Sequence, residues 1–170
     1  NKIKEEKLIP EYIVLTHAHG DHIGGIDDLR ELFPKIKVIA PAKEEEMLSD
    51  GVLNSSKELY GRAITVEPEI SVEDCDHIEI GNMELIFIET PGHTKGGMCI
   101  KCGKYLFSGD TLFRESIGRT DFYGGDYRML LKSIKEKLYT LPDDTVVLPG
   151  HMEQSTIGHE KKRNPFVREG

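Results

Sequence analysis

The sequence predicts one α/β domain whose strands form a mixed sheet. Apolar residues at helical spacing alternate along the chain with short extended apolar runs. The strands in the middle of the chain are separated by turns of two residues, which join antiparallel neighbours. The length of 170 residues suits one hydrophobic core and is short for two.

The first third of the chain alternates strands with helices. Apolar runs at 12–15 and 37–40 predict buried strands. Between them, Asp21 is expected to cap a helix with three apolar residues at helical spacing, Ile26, Leu29 and Phe33. Residues 42–49 predict a second helix that Gly51 can stop, and residues 53–61 are only weakly helical.

In the next part of the chain, apolar residues recur with a period of two, which is typical of strands. Strands are predicted at 77–80, 83–89, 97–101 and 105–108, with tight turns at 81–82 and 103–104. A helix at 127–138, capped by Asp126, then precedes a strand at 145–148. Because these hairpin-linked strands are antiparallel and those next to helices need not be, the sheet is predicted to be mixed.

Composition excludes several classes of protein. The net charge of −8 argues against nucleic-acid binding, and the longest apolar runs are too short to span a membrane. Three cysteines are an odd number without a disulfide framework, which favours a cytoplasmic protein. We interpret Cys99 and Cys102 as hairpin residues, and His77 and His159 as structural histidines.

Five of the seven histidines lie with carboxylates in short polar breaks that follow predicted strands. His17 and His19 alternate on an extended segment, so both side chains point the same way. Gly20 allows a sharp turn, after which the chain presents Asp21 and His22 nearby. Three more residues follow later strands, His93, Asp110 and His151. Loops held by one sheet can bring such side chains together.

These residues suffice for two metal ions. His17, His19 and His93 offer three nitrogens to one ion. Three further ligands can hold a second ion, Asp21, His22 and His151, and the carboxylate of Asp110 can bridge both. Zinc is the first choice, although imidazole and carboxylate ligands also accept iron and manganese.

Four motifs resemble, in their order along the chain, those of the metallo-β-lactamase superfamily. They are Thr-His-Ala-His-Gly-Asp-His at 16–22, Pro-Gly-His-Thr at 91–94, Ser-Gly-Asp at 108–110 and Pro-Gly-His at 149–151. The resemblance implies a four-layer αββα sandwich with metals at one edge between its sheets. Gly-Arg-Thr-Asp-Phe at 118–122, the run 155–161 and Asn-Pro-Phe at 164–166 resemble the glyoxalase II-like branch, particularly its short single-domain bacterial members.

The chain departs from the superfamily pattern in three places. Only residues 1–15 precede the first motif, where members usually have several strands, so we expect residues 1–170 to be one domain whose native form extends upstream. About twenty residues follow His151, and no helical domain that contacts glutathione is expected there. Lys95 and Gly97 replace the proline and serine that are common after the histidine of the Pro-Gly-His-Thr motif.

The predicted activity is hydrolysis of a small acyl thioester by a hydroxide that bridges the two ions. Asp21 and Asp110 are the predicted catalytic carboxylates. A thiolate of pKa about 8.5 leaves without a strong general acid, which fits the absence of an obvious one. Arg119 is the candidate for an anionic substrate group or for bracing the metal loop, and Lys95 and Tyr123 are further substrate candidates.

Other functions stay open. A mononuclear iron persulfide dioxygenase would use His17, His93 and Asp110, because its family also has the Gly-Arg-Thr-Asp-Phe run. A lactonase, phosphodiesterase or other esterase could use the same site. A truncated, non-catalytic metal-binding module is the alternative outside enzymes. Sheet edges left without neighbours predict self-association.

Overall fold

The computed structural model describes residues 2–168. The domain predicted from the sequence, residues 1–170, also includes residues 1, 169 and 170, which lie outside the described residues. Its strands are β1 (Tyr12–Val14), β2 (Lys37–Pro41), β3 (Ile70–Val72), β4 (His77–Ile80), β5 (Met83–Glu89), β6 (Met98–Cys102), β7 (Tyr105–Gly109), β8 (Leu112–Phe113), β9 (Ser116–Ile117), β10 (Val146–Pro149) and β11 (Ser155–Thr156). Its α-helices are α1 (Lys2–Glu5), α2 (Gly20–Ile23), α3 (Ile26–Leu32), α4 (Glu45–Leu48), α5 (Ser56–Tyr60), α6 (Tyr127–Ser133) and α7 (Ile157–Arg163). A 3-10 turn, Ala42–Glu44, precedes α4, and a π-helical turn, Ile134–Leu138, continues α6.

The strands form two main sheets. One has three parallel strands in the order β1-β2-β3, with Ile13 opposite Val38 and Ile39 opposite Ile70. The other has six strands in the order β11-β10-β7-β6-β5-β4. In the larger sheet β7 and β10 are parallel and the other neighbours are antiparallel, which confirms the predicted mixed sheet. A short β8–β9 hairpin forms a separate two-stranded sheet.

Three apolar clusters separate the four layers. Strand residues alternate between them, because successive side chains of a strand point to opposite faces. Val38 packs under the helices that cover the smaller sheet, whereas its neighbour Ile39 faces the larger sheet. Likewise Met98 lies between the sheets and Cys99 packs beneath α6. The result is the αββα sandwich, with helices outside both sheets.

The predicted helix after Asp21 is wrong in two respects. It is divided into α2 and α3 at Gly24 and Gly25, because two adjacent glycines disfavour a continuous helix. His19 rather than Asp21 occupies the cap position of α2, and Asp21 lies in its first turn. There its carboxylate is close to the positive end of the helix and is free to contact the side chains described below.

Other local predictions have mixed outcomes. Asp126 caps α6 as predicted and accepts a hydrogen bond from the Met129 amide at 2.9 Å. The weakly helical segment contains α5, and Cys99 and Cys102 lie in the hairpin strand β6. The prediction omits six elements, α1, β3, β8, β9, β11 and α7. Within residues 2–168 no helix is long and apolar enough to cross a membrane.

Candidate metal centre

The seven predicted ligands meet at one edge of the sandwich, where several strands end. His17 and His19 follow β1, and Asp21 and His22 belong to α2. Three single residues complete the group from the loops after β5, β7 and β10, namely His93, Asp110 and His151. The strands fix where each loop starts, so residues distant in sequence are brought together with little freedom.

Two glycines allow the loops to approach closely. A Cβ on Gly150 would lie 2.5 Å from Asp110 Oδ1 and 2.7 Å from His22 Cε1, so a side chain there would enter the site. Gly92, which precedes His93, has φ +132° and lies against the backbone of Leu130 in α6. These positions explain why the second and last motifs place a glycine directly before the histidine.

His17, His19 and His93 form the buried set of ligands. They are 2%, 5% and 4% exposed, and His19 Nδ1 lies 2.9 Å from His93 Nε2. Potential ligand atoms of all three lie within 4.8 Å of one another. His93 Nδ1 donates to the Arg119 carbonyl at 2.7 Å, which leaves the Nε2 lone pair free for a metal.

Asp21, His22 and His151 form the open set. Their ligand atoms also lie within 4.8 Å of one another. His151 Nε2 lies 3.1 Å from Asp21 Oδ2, and His22 Nε2 lies 3.6 Å from the same oxygen. The side chains of Asp21 and His151 are 41% and 51% exposed, so this set faces solvent.

Asp110 lies between the two sets. Its Oδ1 is 3.2 Å from His22 Nε2, and its Oδ2 is 3.4 Å from His151 Nε2 and 3.7 Å from His93 Nε2. The carboxylate therefore contacts members of both sets. This is the place that a bridging ligand would occupy.

The electrostatics of the buried set favour neutral imidazoles, which is the form that binds a metal. Burial lowers the pKa of His17 well below its usual value and that of His19 to about 4, and neighbouring histidines add to both effects. Burial also lowers the pKa of His93. For His22 burial acts in the same direction, but the Asp110 carboxylate outweighs it and the pKa is raised.

Some buried polar atoms of the cluster have no hydrogen-bond partner in the part of the chain described. They are Nε2 of His17 and Nε2 of His19. Among the described residues, His22 Nε2 and Asp110 Oδ1 have no hydrogen-bond partner other than each other, at 3.2 Å. Buried polar atoms are normally satisfied, and a group of unsatisfied lone pairs directed at one region calls for cations. The donor set of imidazoles and carboxylates, together with these unsatisfied atoms, fits divalent metal ions.

A cleft of about 620 Å³ opens over the cluster. Its walls include apolar side chains at Leu59, Phe113, Ile117, Phe122 and Met152, and polar ones at Ser55, Glu58 and Arg119. The Arg119 guanidinium stacks on the Phe122 ring at 3.7 Å and donates two hydrogen bonds to Asp121, at 2.6 and 2.7 Å. Of the predicted substrate contacts, Arg119 thus lines the cleft.

Lys95 and Tyr123 are not among the residues that line the cleft. Lys95 Nζ donates to Tyr123 Oη at 2.9 Å and to Glu46 at 3.1 Å, so the two residues form an exposed pair beside it. The two histidines interpreted as structural also lie outside the cluster. His77 contacts Glu84, and His159 contacts Glu115, each at 2.9 Å.

Sequence reasoning did not identify some residues around the site. Glu58 and Leu59 lie on α5, in the segment that is only weakly helical by pattern. Glu44 is fully buried behind the first motif. Its neighbours in sequence, Glu45 and Glu46, give no signal that distinguishes it from a solvent-facing residue of a charged helix.

The sequence model of the metallo-beta-lactamase superfamily matches residues 3–151. The chain belongs to this superfamily. It is 42% identical over 168 residues to a probable metallo-hydrolase, YqgX of Bacillus subtilis, covering 97% of this chain and 79% of the relative. It is 36% identical over 176 residues to the hydroxyacylglutathione hydrolase GloC of Haemophilus influenzae, covering 98% and 80%.

Solved structures of the superfamily share the fold. The BLEG-1 B3 metallo-beta-lactamase superposes with a TM-score of 0.90 at 44% identity, over 98% of this chain and 81% of that one. TTHA1623, solved in a di-iron-bound form, superposes with a TM-score of 0.84 at 32% identity, over 98% and 82%. The predicted sandwich is confirmed, and the chain is a member of a superfamily of metallo-hydrolases that bind divalent metals.

Proposed function

We propose that the chain is a two-metal hydrolase of the glyoxalase II-like branch that cleaves small acyl thioesters. The observation that carries this proposal is the position of Asp110, which contacts both the buried and the open set of ligands. A single-ion site would need only the buried set and Asp110. In such a site the open set, whose ligand atoms also lie within 4.8 Å of one another, would bind no ion.

The buried set would hold one ion and the open set the other. Two such ions supply a Lewis acid for the substrate carbonyl and lower the pKa of a water from about 15.7 toward 7. Zinc is the proposed metal, with iron and manganese as alternatives.

Asp21 and Asp110 are the proposed catalytic carboxylates. Asp21 lies in the cleft wall and is partly exposed, so it can accept the proton of the attacking water and orient it. Asp110 is more buried than Asp21, with 12% of its side chain exposed, and lies between the two sets of ligands, where it would hold an ion of each set.

The cleft suits a compact acyl group. Apolar walls formed by Leu59, Phe113 and Phe122 can exclude water from its hydrocarbon part. A leaving thiolate has a pKa of about 8.5 and departs without a strong acid. The hydroxyacylglutathione hydrolase GloC, 36% identical, supports a thioester of this type.

Arg119, Lys95 and Tyr123 are the proposed substrate contacts. Arg119 lies in the cleft wall, although Asp121 already holds its guanidinium. Lys95 and Tyr123 would act from the rim, where their hydrogen bond places a cation next to a phenol. An anionic thiol carrier would meet this rim before the acyl group reaches the metals.

Metal analysis together with thioester assays tests the proposal. Protein prepared without chelator should contain two divalent ions per chain and hydrolyse S-lactoylglutathione or other acyl thioesters. His151→Ala, in the open set, should lose one ion and most turnover, whereas His77→Gln, an exposed histidine on β4, should retain both. Metal-loaded protein without turnover above buffer on any acyl thioester would contradict the proposal.

Parallel assays separate the alternatives. Turnover of lactones, phosphodiesters or other esters in preference to thioesters would assign a different hydrolase. One iron per chain, with oxygen consumption on glutathione persulfide, would assign the dioxygenase instead. Stable metal binding without any of these activities would favour a non-catalytic module.

A further inference from the structure

Glu44 is a completely buried carboxylate that lies behind the candidate metal centre. It ends the 3-10 turn Ala42–Glu44, which follows β2, and its exposed fraction is 0%. One carboxylate oxygen accepts a hydrogen bond from the Ala18 amide at 2.8 Å. The other accepts one from the Gly96 amide at 2.7 Å.

These two amides belong to the two loops that carry the buried set of ligands. Ala18 lies between His17 and His19, and Gly96 lies three residues after His93. Glu44 is therefore hydrogen-bonded to both loops at once. Breaking either bond would leave a buried backbone N–H without its acceptor, which is unfavourable because the amide is not solvated by water.

The loop after His93 packs directly on the turn that presents Glu44. A Cβ on Gly96 would lie 2.7 Å from the Lys43 carbonyl carbon and 2.9 Å from the Glu44 amide nitrogen. Lys43 Cβ is equally near, at 2.7 Å, so the loop at Gly96 rests directly on the turn. A small displacement of Glu44 would move this loop as a unit.

The charge of Glu44 also needs an explanation. Within residues 2–168 no lysine, arginine or histidine forms an ion pair with it. Burial raises the pKa of Glu44, whereas the Ala18 and Gly96 amides act in the opposite direction because they favour the ionised form. A buried carboxylate without a counter-charge is strongly unfavourable. Cations held by His17 and His19, on either side of Ala18, would supply that counter-charge.

We propose that Glu44 is a positioning residue for the metal centre. Through the Ala18 and Gly96 amides it holds the His17–His19 segment against the His93 loop. Its negative charge, behind the buried set, increases the affinity of that set for a divalent cation. This inference rests on the proposed metal centre but not on any particular substrate.

Glu160 offers a matched control within the same chain. It is also 0% exposed, and it accepts hydrogen bonds from the Glu115 amide and from Asn164 Nδ2, both at 2.9 Å, and from the Ser155 hydroxyl. None of these partners is a proposed ligand or adjacent to one. Glu160→Gln therefore removes a comparable buried charge and disturbs a comparable set of donors away from the metals.

The experiment compares zinc affinity with stability in metal-free protein. Zinc affinity is measured by competition with a chromophoric chelator, and the free energy of unfolding by urea titration without metal. In Glu44→Gln the side-chain amide would face one of the two N–H donors. We expect this variant to bind its tighter zinc roughly 10- to 100-fold more weakly, as is typical for residues that orient ligands. Glu160→Gln should lose stability and keep wild-type zinc affinity.

A conservative variant covers the case in which Glu44→Gln does not fold. Glu44→Asp keeps the charge but is one methylene too short to reach both amides, so its zinc affinity should fall less than that of Glu44→Gln. Amide hydrogen exchange of metal-free Glu44→Asp should be faster at Ala18 or Gly96 than in the wild type.

Two results would overturn the inference, and they are distinguishable. If the Glu44 variants lose only stability, by as much as Glu160→Gln and with unchanged zinc affinity, Glu44 is structural and the metal centre stands. If the wild type itself binds no divalent metal, the proposed function fails, and this inference with it.

Discussion

Removing the metal and lowering the pH should destabilise the fold through His19. Burial lowers the pKa of this imidazole from 6.5 to about 4, so the unfolded chain takes up its proton first. The stabilisation is complete above pH 6.5 and is lost as the pH falls toward 4, because in that window the unfolded state binds more protons. A pKa shift of this size corresponds to at most about 3 kcal/mol in the free energy of unfolding.

The slope of stability against pH gives the measurement. One proton bound only by the unfolded state contributes about 1.4 kcal/mol per pH unit. His17 and His93 act in the same direction as His19, and His22 acts in the opposite one. Urea unfolding of chelator-treated protein between pH 7 and 4 should therefore show a steep loss of stability.

A His19 variant tests whether the buried histidines cause this dependence of stability on pH. His19→Asn should reduce the slope between pH 6.5 and 4 by up to about 1.4 kcal/mol per pH unit. His77→Gln, which removes an exposed histidine on β4, is the control and should keep the wild-type slope. If His19→Asn follows the wild type throughout this window, His19 is not held neutral by burial and the reasoning fails.

Three further predictions concern the bridge, the packing and the sheet edges. Asp110→Asn should bind its second metal about 100-fold or more weakly, which metal analysis after dialysis would show, and two retained ions would oppose a bridging role. Gly118→Ala should lower the free energy of unfolding by about 3 kcal/mol, because its Cβ would lie 1.7 Å from the Asp110 carbonyl oxygen. Gly25→Ala is the control: a Cβ at Gly25 meets no atom within 4 Å, so the free energy of unfolding should change by less than about 1 kcal/mol. Within residues 2–168, β1 has no outer neighbour in its sheet, and Phe107 is 43% exposed. The protein should therefore self-associate increasingly with concentration, which light scattering would detect. A monomer at all concentrations would contradict this.

The sequence predicted the fold class and which candidate ligands converge, but it missed several of the elements around them. His17 and His19 share a face because an extended segment has a period of two, and this local rule holds whatever the surrounding structure. His93, Asp110 and His151 were expected to converge because each follows a strand. That inference needed only the order of elements along the chain and not the packing of the sheets.

The elements that escaped prediction depend on tertiary contacts. β3 has three residues, and among residues 2–168 it pairs only with Ile39, Ala40 and Pro41 of β2. A strand this short is too brief for a period of two to show in the sequence. α7 begins after Thr156, whose hydroxyl accepts a hydrogen bond from the His159 amide, in a stretch that by composition is a charged tail. The division between α2 and α3 at Gly24 and Gly25 can be predicted from the sequence only if two adjacent glycines are given more weight than the helical spacing of the apolar residues.

Glu44 shows the limit of sequence reasoning most clearly. It is one of three consecutive glutamates, of which only Glu44 is fully buried. Which of the three points inward depends on the 3-10 turn that precedes α4, and a 3-10 turn differs from an α-helix by one hydrogen-bond register. Buried acceptors for backbone amides of another loop have no signature in a single sequence.

The two sets of ligands differ in exposure, and this bears on how a metal count is interpreted. The buried histidines are at most 5% exposed, whereas the side chains of Asp21 and His151 are about half exposed. An ion in the open set would exchange with water and chelators first, so partly loaded protein would contain one ion in the buried set. One metal per chain is therefore expected both from a depleted hydrolase and from a mononuclear oxygenase. Titration to saturation separates them, because a two-metal hydrolase gains turnover with the second equivalent and a mononuclear enzyme does not.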